Sequence, residues 1–471
     1  MKKTISVFAL AALFVSCSKE AEQTPTTSGD VITVAPTEFY ATLETPEPDT
    51  KTALGGTNGK QVLWESGDSI SVWHDVFAQA KYTLSAGAGT TSATFTSTQT
   101  VTGEQQGMFT IVLYPYDADV ELGFNKQGRG LSLSNVQYPA VQNYRANSWD
   151  KGAMPMFGEL DAEGNSLQLR NLAGVLRLTL KGTAKIDSIR VSALGENEYI
   201  AGVILDPLSG ERFTSGEKTV TLNCGESGVT LSENTGTVFN IVIPPIKGGF
   251  KVAICDSKHG VMILQSSSEI KRNTILNMPV VDYAPNAKDL GLSVYWATCN
   301  VGATTPEGYG DYFAWGETVT KKTYDWSTYT WSKGTHTDLT KYNTDSSYGT
   351  VDNKTTLEPE DDAATQNCGS AWRMPTSTEF EELRTNCTWT TSTDGVKGYK
   401  VISKVEGYTD VAIFLPTAGY RSGAYLYEVG RQGGYWSSSR SQMNYASYLS
   451  GVNMDDYGAR CIGFSVRPVA E

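Results

Sequence analysis

The sequence predicts a multidomain chain in which all-β sandwiches are followed by an α+β domain, and three observations carry that reading. Over residues 31–281, short segments alternate apolar and polar side chains with period two. Examples are Ser69-Ile70-Ser71-Val72-Trp73, Val175-Leu176-Arg177-Leu178-Thr179-Leu180 and Val238-Phe239-Asn240-Ile241-Val242-Ile243, with Gly, Asn and Asp between such runs. Beyond residue 283 the composition turns to Trp, Tyr, Gly, Asn and Ser, and the only strong helix signals appear there. The length of 471 residues exceeds what one core serves and suits about three units at roughly 150 residues each.

Residues 1–16 read as a signal peptide. Met1-Lys2-Lys3-Thr4 is a positive start, residues 5–15 are uncharged and mostly apolar, and Ser16-Cys17-Ser18-Lys19 follows. The apolar run falls short of the roughly 20 residues a spanning helix needs. Leu13-Phe14-Val15-Ser16 ahead of Cys17 resembles a lipobox. That likeness implies cleavage before Cys17 and lipid on it, a diacylglyceryl thioether plus an N-acyl chain, which are two anchoring signals. The membrane is then a partner through lipid alone, and the expected location is the outer membrane, facing the cell surface. Residues 17–35 form a tether, small and polar without apolar period.

The β region divides into residues 36–165 and 166–283, with a break near residues 157–171. The turn Tyr283-Ala284-Pro285-Asn286 opens the last domain, residues 284–471. Its clearest helix covers Pro375 to Arg384, where Thr376 and Glu379 make a capping box and Phe380 with Leu383 an apolar face. A shorter helix starts near Glu358-Pro359, with carboxylates in its first turn, and stops at Gly369.

Charge and composition exclude several functions. A net charge of −13 argues against nucleic acid or an anionic lipid surface as main partner. Of seven cysteines, the six after Cys17 are Cys224, Cys255, Cys299, Cys368, Cys387 and Cys461. An exported chain permits disulfides, but no CxxC occurs and six cysteines allow 15 connectivities, all left open. The three histidines, His74, His259 and His336, lack an HExxH pattern, so no zinc site is expected. The acids Glu358, Glu360, Asp361 and Asp362, with Asp345 and Asp352 nearby, lack an EF-hand pattern and suit a helix start better than calcium. No GxSxG, P-loop or Ser-His-Asp set is visible. No catalytic residues, metal or cofactor are expected, and no enzyme.

Two resemblances refine the fold. The motifs Lys51-Thr52-Ala53-Leu54, Val62-Leu63-Trp64-Glu65-Ser66-Gly67-Asp68, Tyr114-Pro115-Tyr116, Asn171-Leu172-Ala173-Gly174-Val175-Leu176 and Phe239-Asn240-Ile241-Val242-Ile243-Pro244-Pro245 resemble the fimbrillin family of exported lipoproteins. That implies a pair of transthyretin-like sandwiches and pilus subunits as partners. Some members polymerise by strand donation after cleavage at an early arginine. This chain has no arginine before Arg129, and Lys51 or Lys60 would have to serve.

The motifs Leu290-Gly291-Leu292-Ser293-Val294-Tyr295-Trp296-Ala297, Gly310-Asp311-Tyr312-Phe313-Ala314-Trp315-Gly316-Glu317, Trp372-Arg373-Met374-Pro375-Thr376, Leu415-Pro416-Thr417-Ala418-Gly419-Tyr420-Arg421, Tyr435-Trp436-Ser437-Ser438-Ser439 and Gly463-Phe464-Ser465-Val466-Arg467 resemble the Fibrobacter succinogenes major paralogous domain. That implies a C-type-lectin-like fold. The fold type is shared with formylglycine-generating oxidases, which use a close cysteine pair near the chain end, where this chain has only Cys461.

In such folds, closing strands frame the loops that contact ligand. Tyr435–Ser439 and Gly463–Arg467 would be the frame here, with residues 440–462 between them. The candidate binding residues are Gln442, Asn444, Tyr445, Tyr448, Asn453, Asp455, Asp456 and Tyr457, beside Arg460. Tyrosine offers a stacking face and a hydroxyl, and Asn and Asp bond sugar or peptide groups; the competing reading has Tyr445 and Tyr448 packing the loop down. Trp296, Trp315, Trp372 and Trp436 are expected in the core. Arg373, Arg421 and Arg467 are expected to pair internally with Glu317, Asp361 or Asp362. The expected function is a surface adhesin-like lipoprotein binding a glycan or protein; the alternative is a structural pilus tip or anchor component.

Overall fold

The computed structural model describes residues 38–44, 63–73, 79–97, 111–124, 131–159, 167–203, 216–392, 395–451 and 457–471. The signal, Cys17 and the tether lie outside the described residues, as do Lys51 and Lys60.

The first unit is a barrel. Seven strands pair all the way round in the order Glu38–Leu43, Leu167–Asn171, Met156–Glu159, Ile111–Tyr114, Ser69–Trp73, Gln79–Ala86 and Ser92–Thr96. Two facing sheets were expected. Closure comes from Glu38–Leu43, which pairs antiparallel with Ser92–Thr96 on one side and parallel with Leu167–Asn171 on the other. Trp64, Tyr82 and Phe95 fill the interior, and Trp73, on the other face of its strand, packs outside the barrel wall. Pairing also carries Leu167–Asn171 into the barrel, so the chain changes sheets at residues 172–173 rather than at 165.

The second unit is a sandwich. A four-stranded sheet, Thr237–Ile243, Gly174–Lys181 and Ile275–Asn277 with Val281–Asp282, faces a nine-stranded sheet. Simple alternation forecasts half-burial for Gly174–Lys181, yet this strand is buried on both faces. Leu176, Leu178 and Leu180 face the larger sheet, while Val175 joins the barrel's core with Val242 and Ile275. Polar residues on the barrel side are matched rather than exposed. Arg177 Nε donates to Asn240 Oδ1 (2.8 Å), Asn240 Nδ2 donates to Ser148 O (3.2 Å), and the Gln142 amide bonds both N–H and C=O of Val242.

The nine-stranded sheet does not stop at the second unit. Its order runs Val141–Asn143, Thr219–Asn223, Lys185–Ala193, Phe250–Asp256, Gly260–Ser266, Ala287–Lys288, Tyr295–Ala297 and Val469–Ala470, with Val229–Thr230 alongside. Across the expected boundary at residue 283 the hydrogen-bond ladder is continuous, and so is a small core cluster of Ala253, Val261 and Ile263 with Ala287, Tyr295 and Ala297. Ala287–Lys288 pairs with Gly260 and Val261 on one side and with Trp296 and Ala297 on the other.

The third unit adds the sheets Cys387–Ser392, Gly398–Ser403, Ala412–Pro416 and Gly434–Arg440, Tyr445–Ser450, Tyr457–Ala459. The helix Ser377–Asn386 carries the expected Thr376/Glu379 capping box and buries Phe380 and Leu383. The shorter one splits into a 3-10 turn, Pro359–Asp361, and a helix, Ala363–Cys368. Asp362 stays extended there and caps the helix by accepting from Thr365 N (2.9 Å), and Gly369 ends it. The four signature tryptophans are buried.

Irregular segments of this unit hold together through aromatic polar groups. Trp315 and Trp436 indoles donate to Ser437 O and Phe313 O (both 2.8 Å), and the hydroxyls of Tyr312, Tyr324, Tyr329 and Tyr435 each donate to a buried carbonyl. A buried ring thus brings apolar area and a donor for a carbonyl that no strand satisfies.

The expected arginine partners are wrong. Arg373 pairs with Glu379 and Glu471, Arg421 lies over the Tyr312 ring at 5.3 Å, and Glu317 holds Lys321 instead. Arg467, fully buried, donates to Asn300 Oδ1 and to the carbonyls of Ala297, Thr298 and Phe414 at 2.8–2.9 Å. A guanidinium is an acceptor-free fork of donors, and oxygens from two segments, residues 297–300 and Phe414, satisfy it here. Arg467→Met is expected to leave those acceptors unpaired and to lower stability by about 1–3 kcal/mol, measured by urea unfolding.

Candidate functional site

Of the five described candidates, expected on a loop, Tyr445, Tyr448 and Tyr457 lie on strands and Gln442 and Asn444 in the turn before them. Alternation in Tyr445-Ala446-Ser447-Tyr448-Leu449 builds the strand Tyr445–Ser450, which pairs with Gly434–Arg440 and Tyr457–Ala459. Between the first two strands the chain turns tightly, Tyr445 N donating to Gln442 O (2.7 Å) with Met443 at a φ of 44°. Arg460, buried against the Trp315 ring at 5.0 Å, grips this turn: its guanidinium donates to Met443 O (2.5 Å) and Tyr445 O (3.4 Å).

The candidate residues divide accordingly. Gln442 is exposed, and Asn444 is 7% exposed and points inward. Tyr445 is half-buried with its ring edge-on to Tyr457 at 5.5 Å, and Tyr457 is 57% exposed. Tyr448 stacks on Phe464 at 4.3 Å and meets Trp436 edge-on at 6.0 Å, which makes it a packing residue. Asn453, Asp455 and Asp456 lie outside the described residues. The structure thus unites Tyr445 and Tyr457, buries Asn444 and leaves Tyr448 half-buried against Phe464.

A second set of residues escaped the sequence reading. Tyr420–Ser422 and Tyr425–Tyr427 form a hairpin around Gly423, whose φ of 55° suits a two-residue turn. Tyr420 and Tyr427 stack at 5.5 Å, Tyr425 meets Tyr427 at 6.4 Å, and Tyr420 rests on Phe464 at 6.0 Å. Tyr425 is 70% and Tyr427 43% exposed, with Leu426 and Val429 exposed beside them. Phe464 therefore links the outward rings of the hairpin to Tyr448 and Trp436 in the core. The signal was present in the text: aromatic residues at 420, 425 and 427 around a glycine turn read as a hairpin with one aromatic face.

The acids considered for calcium are engaged by protein groups. Lys341 Nζ sits 2.5 Å from both Asp361 and Glu358, and Lys354 pairs with Glu358 as well. Asp352 accepts from the backbone N–H groups of Tyr342, Asn343 and Lys354, and Asp345 caps a turn at Ser347 N. Among the described residues no group of three or more His, Cys, Asp or Glu side chains forms a metal cluster. The six described cysteines are unpaired thiols; Cys461 is buried, and burial pushes its thiol up to about 12.

No protein-family model matches the chain, and no curated protein matches it. Among solved structures, it is similar to a candidate cell adhesion protein from Bacteroides ovatus at 10% identity and TM-score 0.32, over 53% of this chain and 92% of that one. It is similar to another from Bacteroides uniformis at 15% identity and TM-score 0.30, with the same shares covered. A fimbrial protein from Bacteroides ovatus aligns over 92% of this chain and 99% of that one, at 9% identity and TM-score 0.23.

Two outcomes are expected. A Cβ at Gly434 would clash with the Phe464 ring, so Gly434→Ala should displace the ring that supports Tyr420. The cost is about 1–3 kcal/mol, read by thermal unfolding together with a changed near-UV tyrosine signal. Hydrogen bonding from Lys341, then Lys354, lowers the Glu358 carboxyl to about 2. Because the folded value is depressed, its stabilising effect is complete above the ordinary carboxylate range and disappears as pH falls through about 2; a carbon NMR titration of Glu358 checks this.

Proposed function

We propose that this chain is a non-enzymatic, adhesin-like surface lipoprotein of the outer membrane. Lipid on Cys17 anchors it, two β units of fimbrillin type form a stalk, and the C-terminal unit, of C-type-lectin type, binds a glycan or protein through its tyrosine surface.

The observation that carries this reading is the exposure of Tyr425, Tyr427 and Tyr457, each braced by another ring. Exposed aromatic area forgoes hydrophobic stabilisation of about 25 cal/mol per Å2, so a grouped set of such rings marks a contact surface. Tyrosine has few rotatable bonds and gives an apolar face with a hydroxyl, so it binds at low entropic cost. Ring-on-ring bracing lowers that cost again. The sheet running from the second unit into the third supports a display role, because it fixes the tyrosine surface on the stalk instead of leaving it on a hinge.

The lipid-free chain, residues 18–471, is to be screened on glycan and protein arrays. Binding is expected, and Tyr425→Ala with Tyr427→Ala should weaken it at least ten-fold while the unfolding temperature stays within a few degrees, since both rings are at the surface. A folded chain that binds nothing above background would sink the adhesin reading. Protease treatment of intact cells should degrade the protein; its survival there, with cleavage in lysed cells, would place it inside. Recovery from purified pili would move the assignment to a pilus tip or anchor component.

A further inference from the structure

We propose that the mouth of the first barrel is a second binding site, for an uncharged sugar residue. The chain ends of several barrel strands enclose a cavity of about 500 Å3 there, within the size range of small-ligand sites. Trp64, Tyr114 and Trp149 supply aromatic walls, and Leu43 and Met156 apolar ones.

Four charged residues share the lining, and they cancel in pairs. Arg145 Nη2 bridges both carboxylate oxygens of Glu65 at 2.9 and 3.1 Å. Lys151 Nζ lies 3.2 Å from Asp68 Oδ1, which also accepts from the Tyr114 hydroxyl at 3.1 Å. The rim is therefore neutral overall but rich in both donors and acceptors. A charged ligand would have to displace one partner of a pair and leave the other uncompensated, which is costly. A polyol avoids this, because each hydroxyl both donates to a carboxylate and accepts from a cation.

Trp64 is 2% exposed, its ring fixed edge-on between Phe95 and Tyr114, so the wall it contributes is held rigid. The apolar face of a sugar ring would pack on the aromatic walls while its hydroxyls meet the paired charges. The site lies on a different unit from the C-terminal tyrosine surface and is independent of that surface's function.

The test uses nitrogen-15-labelled, lipid-free chain, residues 18–471. The Trp64 indole resonance is the one lost in Trp64→Phe. Galactose, mannose and N-acetylglucosamine are titrated, followed by galacturonate and glucosamine as charged counterparts. At least one neutral sugar is expected to shift that resonance saturably, and its charged counterpart to bind about ten-fold more weakly or worse. Arg145→Gln at the partly exposed rim should weaken the neutral sugar about ten-fold. Tyr425→Ala with Tyr427→Ala should leave this binding unchanged. Absence of any shift in folded protein, equal binding of the charged sugars, or loss of binding in the tyrosine variant would each overturn the proposal.

Discussion

Two residues, Ala287 and Lys288, set the relation between the sandwich and the terminal unit. They form a strand with ladder partners on both sides, joining Gly260–Ser266 of the sandwich to Tyr295–Ala297 of the last unit. Such a joint stands only if its surroundings allow close approach. The cluster beneath it is made largely of Ala253, Ala287, Ala297, Ala371 and Ala470, closed by Tyr295 and Trp372. Side chains also cross the junction: Asn286 bonds both backbone groups of Ile263, and Gln265 bonds Ser370 and Ala371 N. A flexible linker would have left these groups to water.

The same economy appears where the sandwich meets the barrel. Val175, Val242 and Ile275, on the four-stranded sheet's side turned away from the large sheet, are covered by the barrel. The sheet's polar residues there, Arg177 and Asn240, survive burial by bonding one another and Ser148. Barrel and sandwich are thus joined through a shared core, and sandwich and terminal unit through a shared sheet.

In the terminal unit the problem is irregular backbone. Residues 298–358 contain little regular structure, yet the run Tyr312–Glu317 within them is continuously buried. Tyr and Trp donors, with Arg460 and Arg467, reach the carbonyls that strands would otherwise satisfy. This accounts for the aromatic composition past residue 283. Most rings are structural, and the exposed ones on the Tyr420–Tyr427 hairpin stand out because they lack that employment.

Strand positions, both capping signals and the burial of the four tryptophans were legible in the sequence, because each depends on neighbours within a few residues. Thr376 and Glu379 cap their helix whatever surrounds them. Partners remote in sequence were not legible. Closure of the barrel rests on residue 41 meeting residues 93 and 167, and Arg467 finds acceptors up to 170 residues away instead of the nearby acids. The candidate residues fell between these cases, because a tyrosine's neighbours decide whether it packs, as Tyr448 does, or faces outward, as Tyr425 and Tyr457 do. Local periodicity fixes which side of a strand a residue occupies; only the tertiary structure decides whether that side meets water, because burial depends on what the rest of the chain lays against it.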